Sequence, residues 1–327
     1  MRTLFLYSLL CLFFGTASVT AQYTETINSN RPGQSQGAFS VGTGVLQFET
    51  GLSYGQDKHD LLNYDENRFG ADYAIRYGFW KEQLEVSVIG SFLTANRAFD
   101  NLPDDSRFTN FDANTVGAKY LLYDPYKYDD GVDIRSWKKT HSFSWDKLIP
   151  AISIYAGANI LFGDNSFVPE DSTPVSPKVA VITQNNFPGG WVLVTNLIGD
   201  RIFMTEQPAY TFIGTLTHSF HPNWAAFVEG QVLYSDFYSD DIVRAGGAYL
   251  FSDNFQLDVS GLYNFRDTPK RWEVNLGISY RYDMHKKDEM IEDTQRGSKK
   301  KKKKKKKDDN EIDLEDGGDN GGDNENQ

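Results

Sequence analysis

Alternation of apolar and polar residues is the feature that most limits the fold of this chain. Between Trp272 and Tyr282 the even positions are aromatic or aliphatic, and the odd positions, from Glu273 to Arg281, are polar or small. A period of two residues is that of a β-strand with two unlike faces. No stretch of useful length has a helical period. Alternating segments begin near Gly44, Phe69, Glu82, Phe111, Pro150, Val175, Gly190, Ala209, Trp224, Asp241, Asn254 and Lys270.

Soluble β-sandwiches also alternate, and three features favour a membrane barrel over them. The segments are about ten to thirteen residues long, whereas a tilted membrane strand needs about nine to eleven and soluble strands centre on about five or six. Aromatic residues lie at the strand ends, and long polar links such as 55–68 and 96–110 alternate with tight turns. The link 124–149 is long where a tight turn is expected, so it is either a periplasmic extension or a miscounted strand.

These observations predict an all-β fold, an antiparallel up-and-down transmembrane β-barrel of about 12 strands. Lipid offers no hydrogen-bond partners, so the sheet must close, and an even strand number lets the segment near Val45 pair with the one near Ile278. A bundle of membrane helices is excluded, because the one apolar run of nearly helix-spanning length is at the N-terminus. The net charge of −12 argues against nucleic acid as a partner.

The two ends of the chain differ from this central region. A basic start, an apolar run over residues 4–14, and small residues at Val19 and Ala21 indicate a signal peptide cleaved before Gln22. A run of nine lysines at 299–307 and an acidic end cannot bury apolar surface. The predicted organisation is a signal peptide (1–21), an N-terminal periplasmic segment (22–43), an outer-membrane β-barrel (44–283) and a disordered tail with the lysine run and acidic end (284–327).

Short motifs follow one another in order around the first three strands. They are Asn30-Arg31-Pro32-Gly33-Gln34-Ser35, Gly44-Val45-Leu46-Gln47-Phe48-Glu49-Thr50-Gly51, Ile75-Arg76-Tyr77-Gly78-Phe79 and Leu84-Glu85-Val86. Across residues 28–283 this order resembles the bacterial outer-membrane β-barrel transporter family labelled "putative MetA-pathway of phenol degradation". The resemblance implies uptake of small solutes, aromatic or hydrophobic ones included, but it does not imply a degradative enzyme. Asn30 stands where that family usually has an acid.

The polar strand faces supply candidate functional residues. They would either line a lumen and set its charge selectivity or form a salt-bridge network that fills a small barrel. Both interpretations place them inside, because a charge on the lipid face costs about 2–4 kcal/mol near the midplane. Arg31, Pro32 and Gly33 would line the periplasmic mouth or form a rigid turn into the first strand. The lumen candidates are Gln47, Glu49, Asp72, Arg76, Glu85, Lys119, Glu229, Gln231, Arg244, Asp258, Glu273 and Arg281.

No catalytic, metal or cofactor site is predicted. Cys11 is the only cysteine and falls in the predicted signal peptide, so the mature chain would have no thiol. His218 and His221 lack a carboxylate close by in sequence.

The prediction is therefore a non-enzymatic barrel, embedded in outer-membrane lipid by the barrel-assembly machinery, that passes small solutes by diffusion through a charged lumen. The alternatives are a closed structural or surface-interaction barrel and, third, an outer-membrane barrel hydrolase.

Overall fold

The computed structural model describes residues 26–99, 106–126, 148–163, 165, 167, 173–203, 208–236, 238–266 and 268–285. The predicted signal peptide, the lysine run and residues 127–147 of the long link lie outside these ranges. The barrel belongs to the unit Met1–Met284, and of the second unit, His285–Gln327, only His285 is described. No helix in the described residues is long and apolar enough to span a membrane.

The described chain forms a closed barrel of twelve antiparallel strands, as the alternation predicts. Each strand pairs with its neighbours in sequence, and the first strand closes on the last with Gly51 opposite Gly277. The strands are β1 (Val45–His59), β2 (Tyr64–Gly78), β3 (Leu84–Phe99), β4 (Ser106–Tyr123), β5 (Ala151–Ile160), β6 (Val175–Phe187), β7 (Trp191–Asp200), β8 (Ala209–His221), β9 (Trp224–Ser235), β10 (Asp240–Ser252), β11 (Phe255–Asn264) and β12 (Lys270–Asp283).

The outer face of the barrel is apolar and the inner face is polar. On β12, Leu276 is 61% exposed, whereas Ser279 and Arg281 on the other face are 0% and 3% exposed. A soluble sandwich would bury its apolar face between two sheets and leave its polar face in water. The opposite arrangement, found here, is that of a barrel surrounded by lipid.

The shortest connections, of two or three residues, lie at one end of the barrel. They join β6 to β7, β8 to β9 and β10 to β11, and every connection at the other end has four or more residues. Gly190, in the turn before β7, has a φ of 78°, and a Cβ there would lie 2.7 Å from the carbonyl oxygen of Ser219. Because outer-membrane barrels have short turns on the periplasmic side, we call this the periplasmic end. The first residue of β1, Val45, and the last residue of β12, Asp283, are paired at this end.

Two links that the sequence predicts to be long are mostly strand. The first shrinks from 55–68 to 60–63, because β1 and β2 stay in register out to the pair His59–Tyr64. The second, 96–110, is covered largely by β3 and β4, which pair out to Arg97 and Ser106. Beyond the membrane both faces of a strand meet water, so alternation fades while backbone pairing continues.

Candidate functional site

A segment that precedes β1 occupies the lumen. It enters the lumen from the periplasmic end, beside the turn at Asp253. The carbonyl of Asp253 accepts the N–H of Ile27 (2.7 Å). The segment returns to the same end at Thr43, which bridges to Gly78 of β2. We call residues 27–41 the inserted segment. Much of the predicted periplasmic segment 22–43 therefore lies in the lumen, enclosed by the strands.

Arg31 lies at the innermost turn of the inserted segment. Its guanidinium donates to the carboxylates of Asp72 on β2 and Asp258 on β11, and to the side-chain oxygen of Asn275 on β12. The two contacts with Asp258 are each 3.2 Å. Arg31 thus joins the segment to three strands, at a level well inside the barrel rather than at its periplasmic rim.

Two glycines make room for this guanidinium. Gly51 and Gly277 are paired across the seam between β1 and β12. A Cβ added to either residue would overlap the guanidinium of Arg31. The pair therefore forms a recess in the inner wall, and any larger residue would have to displace Arg31.

Glu229 on β9 holds the returning part of the segment through backbone donors. Its carboxylate accepts the N–H groups of Gln34 (2.9 Å) and Ser35 (3.2 Å). It also accepts the hydroxyl of Thr215 (2.7 Å) and forms an ion pair with Arg244 (3.0 Å). Because the donors are main-chain N–H groups, this contact depends on the backbone conformation of the segment more than on its side chains.

A buried charged network lies nearer the periplasmic end, on β1 to β4. Arg76 is 2.9 Å from both Glu49 and Glu85, and Lys119 is 3.3 Å from Glu85. None of these four residues is more than 3% exposed. Opposite charges within hydrogen-bond distance compensate for the loss of water, and removing one partner from such a pair typically costs about 3–5 kcal/mol.

The same network binds the main chain of the inserted segment. Arg76 and Lys119 donate to its carbonyl groups, and Glu85 accepts one of its N–H groups. The network therefore stiffens the wall and holds the segment at once. These hydrogen bonds are Arg76–Asn28 (2.7 Å), Lys119–Gly37 (2.8 Å), Lys119–Phe39 (2.9 Å) and Glu85–Val41 (3.0 Å).

Uncharged groups complete the attachment. Asn196 accepts the N–H of Gln36 (2.7 Å) and donates to its carbonyl (2.9 Å), in the manner of a strand partner. Ser153 donates to the carbonyl of Ala38 (2.6 Å). Ala38 is itself fully buried in an apolar cluster that includes Ile182 of β6. This cluster is the hydrophobic anchor of the segment.

The twelve lumen candidates all lie on the inward side of their strands. Eight are buried, and Asp72, Gln231, Arg244 and Glu273 are half-buried. Gln231 accepts a hydrogen bond from Arg244 at 2.6 Å. Those that contact the inserted segment are Gln47, Glu49, Asp72, Arg76, Glu85, Lys119, Glu229 and Asp258.

A second charged cluster, at the outer end of the barrel, is not among the residues predicted from the sequence. Asp57 forms ion pairs with Arg68 (2.9 Å) and Arg271 (2.7 Å), and Glu66 pairs with Arg97 (2.7 Å). Asp57 and Glu66 are 3% and 4% exposed. They fell in the region predicted to be a long link. Asp57 is an even number of residues from Gln47 and Glu49 on the same strand. Continued alternation would therefore have predicted that Asp57 also faces the lumen.

Of the two histidines considered as metal ligands, His218 contacts an aromatic ring. His218 stacks on Trp191, with ring centroids 4.1 Å apart. In the part of the chain that the structure describes, no group of three or more His, Cys, Asp or Glu side chains could hold a metal ion.

A family model described as "Putative MetA-pathway of phenol degradation" matches residues 29–282. The chain belongs to this family. No curated protein matches the sequence. Among solved structures, an outer membrane channel from Pseudomonas putida F1 shares the fold, with a TM-score of 0.54 and 9% identity over 78% of this chain and 100% of that one.

Two further barrels are more distant. The CymD monoaromatic hydrocarbon channel has a TM-score of 0.41 and 8% identity, covering 75% of this chain and 90% of that one. The translocator domain of the autotransporter NalP from Neisseria meningitidis has a TM-score of 0.44 and 9% identity, covering 74% and 89%.

The motifs that resemble the MetA-pathway family converge in space. Residues 30–35 form the innermost part of the inserted segment, and Glu49, Arg76 and Glu85 from the three strand motifs form one ion-pair network. The backbone N–H of Asn30 donates to Glu49 (3.3 Å). The motifs of this family member thus describe a segment and the wall that binds it.

Proposed function

We propose that the barrel passes small solutes across the bacterial outer membrane by diffusion, and that the inserted segment opens and closes this route. The observation that carries the proposal is a polar lumen occupied by a non-covalently held segment. The segment enters and leaves at the periplasmic end, so it can withdraw as a loop without breaking any pairing between strands. The Pseudomonas putida barrel of the same fold is described as a channel, and we extend that role to this chain.

The energetics suit a reversible plug. A hydrogen bond exchanged for bonds to water contributes about 0.5–1.5 kcal/mol when both groups are neutral and about 1.5–3 kcal/mol when one is charged, so the segment is held by many separate contacts, none of them covalent. Arg76, Glu85 and Glu49 keep their mutual ion pairs when the segment leaves. Withdrawal of the segment therefore leaves no unpaired buried charge in this network.

The proposed passage requires no chemical step, and we assign the chain no catalytic residue. The eight lumen candidates that contact the segment would hold it when it is inserted, and the charged candidates would set ion preference once it is displaced. Lipid contacts the exposed apolar face, and the barrel-assembly machinery would insert the chain.

Planar-bilayer recording of the mature chain tests this function. We expect small or infrequent conductance steps from the wild type, and more frequent steps from Gly277→Ala, because the new methyl group would displace Arg31. Gly230→Ala is the matched control, since a Cβ there meets nothing within 4 Å. Its recordings should equal those of the wild type.

The folded state must be verified in the same preparations by heat-modifiable migration on gels. Silence from folded wild type and folded Gly277→Ala at all voltages would contradict solute passage. Frequent opening of Gly230→Ala would contradict the specific role of the Arg31 recess.

A further inference from the structure

We infer that the lipid-facing side of β12 and β1 to β4, at the outer end of the barrel, is a binding site for a phosphorylated glycolipid of the outer leaflet. The side chains that form the site point away from the lumen, so the inference does not depend on solute passage. The outer leaflet of a bacterial outer membrane is built from glycolipids whose sugars carry phosphate groups, and this surface lies at the level of their headgroups.

The apolar band on the outer face has a definite outer limit. On β12 the outward residues are apolar from Tyr282 to Trp272, which are ten positions apart. At about 3.3 Å per residue and a tilt of about 40°, this distance spans roughly 25 Å, the height of the apolar band of outer-membrane barrels. The rings of Trp272 and Tyr54 of β1 lie 6.0 Å apart at the outer limit, as expected of an interfacial aromatic belt.

Four neighbouring strands become polar in one register row, which we call the amide row. It consists of Gln56 (β1), Asn67 (β2), Asn96 (β3) and Arg107 (β4), each the cross-strand partner of the next. Two positions nearer the membrane centre, Tyr54 and Phe69 are each 51% exposed and belong to the apolar band. At the same level on β3 and β4, Thr94 and Thr109 hydrogen-bond to each other (3.2 Å). The amide row therefore lies where hydrocarbon gives way to headgroups.

The side chains of the amide row are available to a ligand. Within the residues that the structure describes, none of the four makes a side-chain hydrogen bond or an ion pair. Amides on the inner face, such as Asn196 and Asn275, are bound to protein groups instead. A carboxamide both donates and accepts hydrogen bonds, as a sugar hydroxyl does, and the guanidinium of Arg107 matches the geometry of a phosphate.

Two lysines add positive charge just outside the amide row. Lys58 of β1 and Lys270 of β12 are cross-strand partners on the outward face. Like charges directly opposite each other are destabilising, so an anion that contacts both would stabilise this pair. Lys270 also reaches Asp60 (3.2 Å), whereas Lys58 forms no ion pair with any described residue.

The charge of this surface favours an anionic partner. Lys58, Lys270 and Arg107 outnumber the two carboxylates beside them, Asp60 and Asp65, although the whole chain has a net charge of −12. Basic residues at headgroup level attract anionic lipids. A phosphorylated sugar satisfies both the basic groups and the amides, whereas a neutral glycolipid would satisfy the amides alone.

The wall of the barrel is tall at this site. The strands β1 to β4 have 15 to 18 residues, whereas β5, β7 and β11 have 10. A tilted strand needs about nine to eleven residues to cross the hydrocarbon layer, so β1 to β4 continue past it. The extra length gives a large sugar headgroup, rather than the short one of a phospholipid, a wall to lie against.

Binding of diphosphoryl lipid A to the detergent-solubilised mature chain tests the inference. This glycolipid is a disaccharide with two phosphates, and native mass spectrometry counts the molecules that each barrel retains. We expect one retained molecule. Lipid A from which both phosphates have been removed, and phosphatidylglycerol, should each bind more weakly by a factor of about ten or more.

Two charge variants locate the site. Lys58→Gln and, independently, Arg107→Gln should each weaken the binding of diphosphoryl lipid A about fivefold, the effect of one basic residue near an anionic lipid surface. The double variant Asn67→Ala with Asn96→Ala should also weaken it, since the sugar would lose two amide partners. Lys81→Gln is the matched control, because Lys81 lies over the ring of Trp80 between β2 and β3, at the periplasmic end. It should bind as the wild type does.

Each preparation must first show heat-modifiable migration, so that only folded barrels are compared. Equal binding of the phosphorylated and dephosphorylated lipids, or wild-type binding by both charge variants, overturns the site. An equal loss in Lys81→Gln would do the same, because charge anywhere on the surface would then suffice. Tighter binding of phosphatidylglycerol than of lipid A would refute a glycolipid as the occupant. Conductance in bilayers without glycolipid tests passage separately, so either proposal can fail while the other stands.

Discussion

Deletion of residues 27–40 from the mature chain should raise the single-channel conductance by a factor of about three or more, because a twelve-stranded barrel encloses more space than its own side chains fill. The deleted residues make no strand pairs within the barrel, whose closure depends on β1 and β12 alone. The barrel should therefore fold as before and lose only what fills it.

The same deletion should shift ion preference towards cations. Arg31 leaves, while Asp72 and Asp258 stay on the wall, and Glu229 loses the two N–H donors of the segment. The lumen therefore gains uncompensated negative charge, which attracts cations and repels anions. The reversal potential under a salt gradient measures the change.

A deletion of residues 308–327, outside the unit Met1–Met284, is the control for chain shortening. It should leave conductance and ion preference at the wild-type values. Equal conductance of the wild type and the folded 27–40 deletion would show that the inserted segment does not obstruct the route, and would refute its role as a plug.

The fold could be predicted because the membrane enforces one rule at every strand. A residue on the outer face must be apolar, and the next one on the inner face need not be, so twelve segments show the same period. The predicted starts at Val175, Ala209, Trp224 and Lys270 coincide with the observed ones. The rule ends where the lipid ends. For this reason the outer parts of β1 to β4 were interpreted as links.

The site was only partly predictable for a different reason. Charges on the polar faces, such as Glu49 and Arg76, are visible in sequence because a lipid-facing charge is excluded. Their partner is not visible, because main-chain groups of the inserted segment, such as the carbonyl of Asn28, bind them irrespective of side chain. Arg31 was assigned to the periplasmic mouth or a turn, since nothing local indicates that Asp258 lies beside it.

A disulfide between the inserted segment and the wall should close the barrel reversibly. The hydroxyl oxygens of Ser29 and Ser279 are 2.7 Å apart, a separation from which two cysteines can reach bonding distance with small adjustments. Ser29→Cys combined with Ser279→Cys should abolish conductance steps when oxidised, and a thiol reductant should restore them to at least the wild-type frequency. The predicted mature chain has no other cysteine, so the reagent acts at this pair alone.

The two single cysteine variants distinguish the lock from the loss of a hydrogen bond. Each removes the Ser29–Ser279 contact and forms no bridge within the barrel, so each should conduct as often as the wild type or more often, with or without reductant. Complete bridge formation, shown by a shifted band on a non-reducing gel, must accompany the silent state. A fully bridged barrel that still conducts as the wild type does would mean that solutes and ions pass beside the inserted segment, and the segment would then be a fixed lining of the channel instead of its plug.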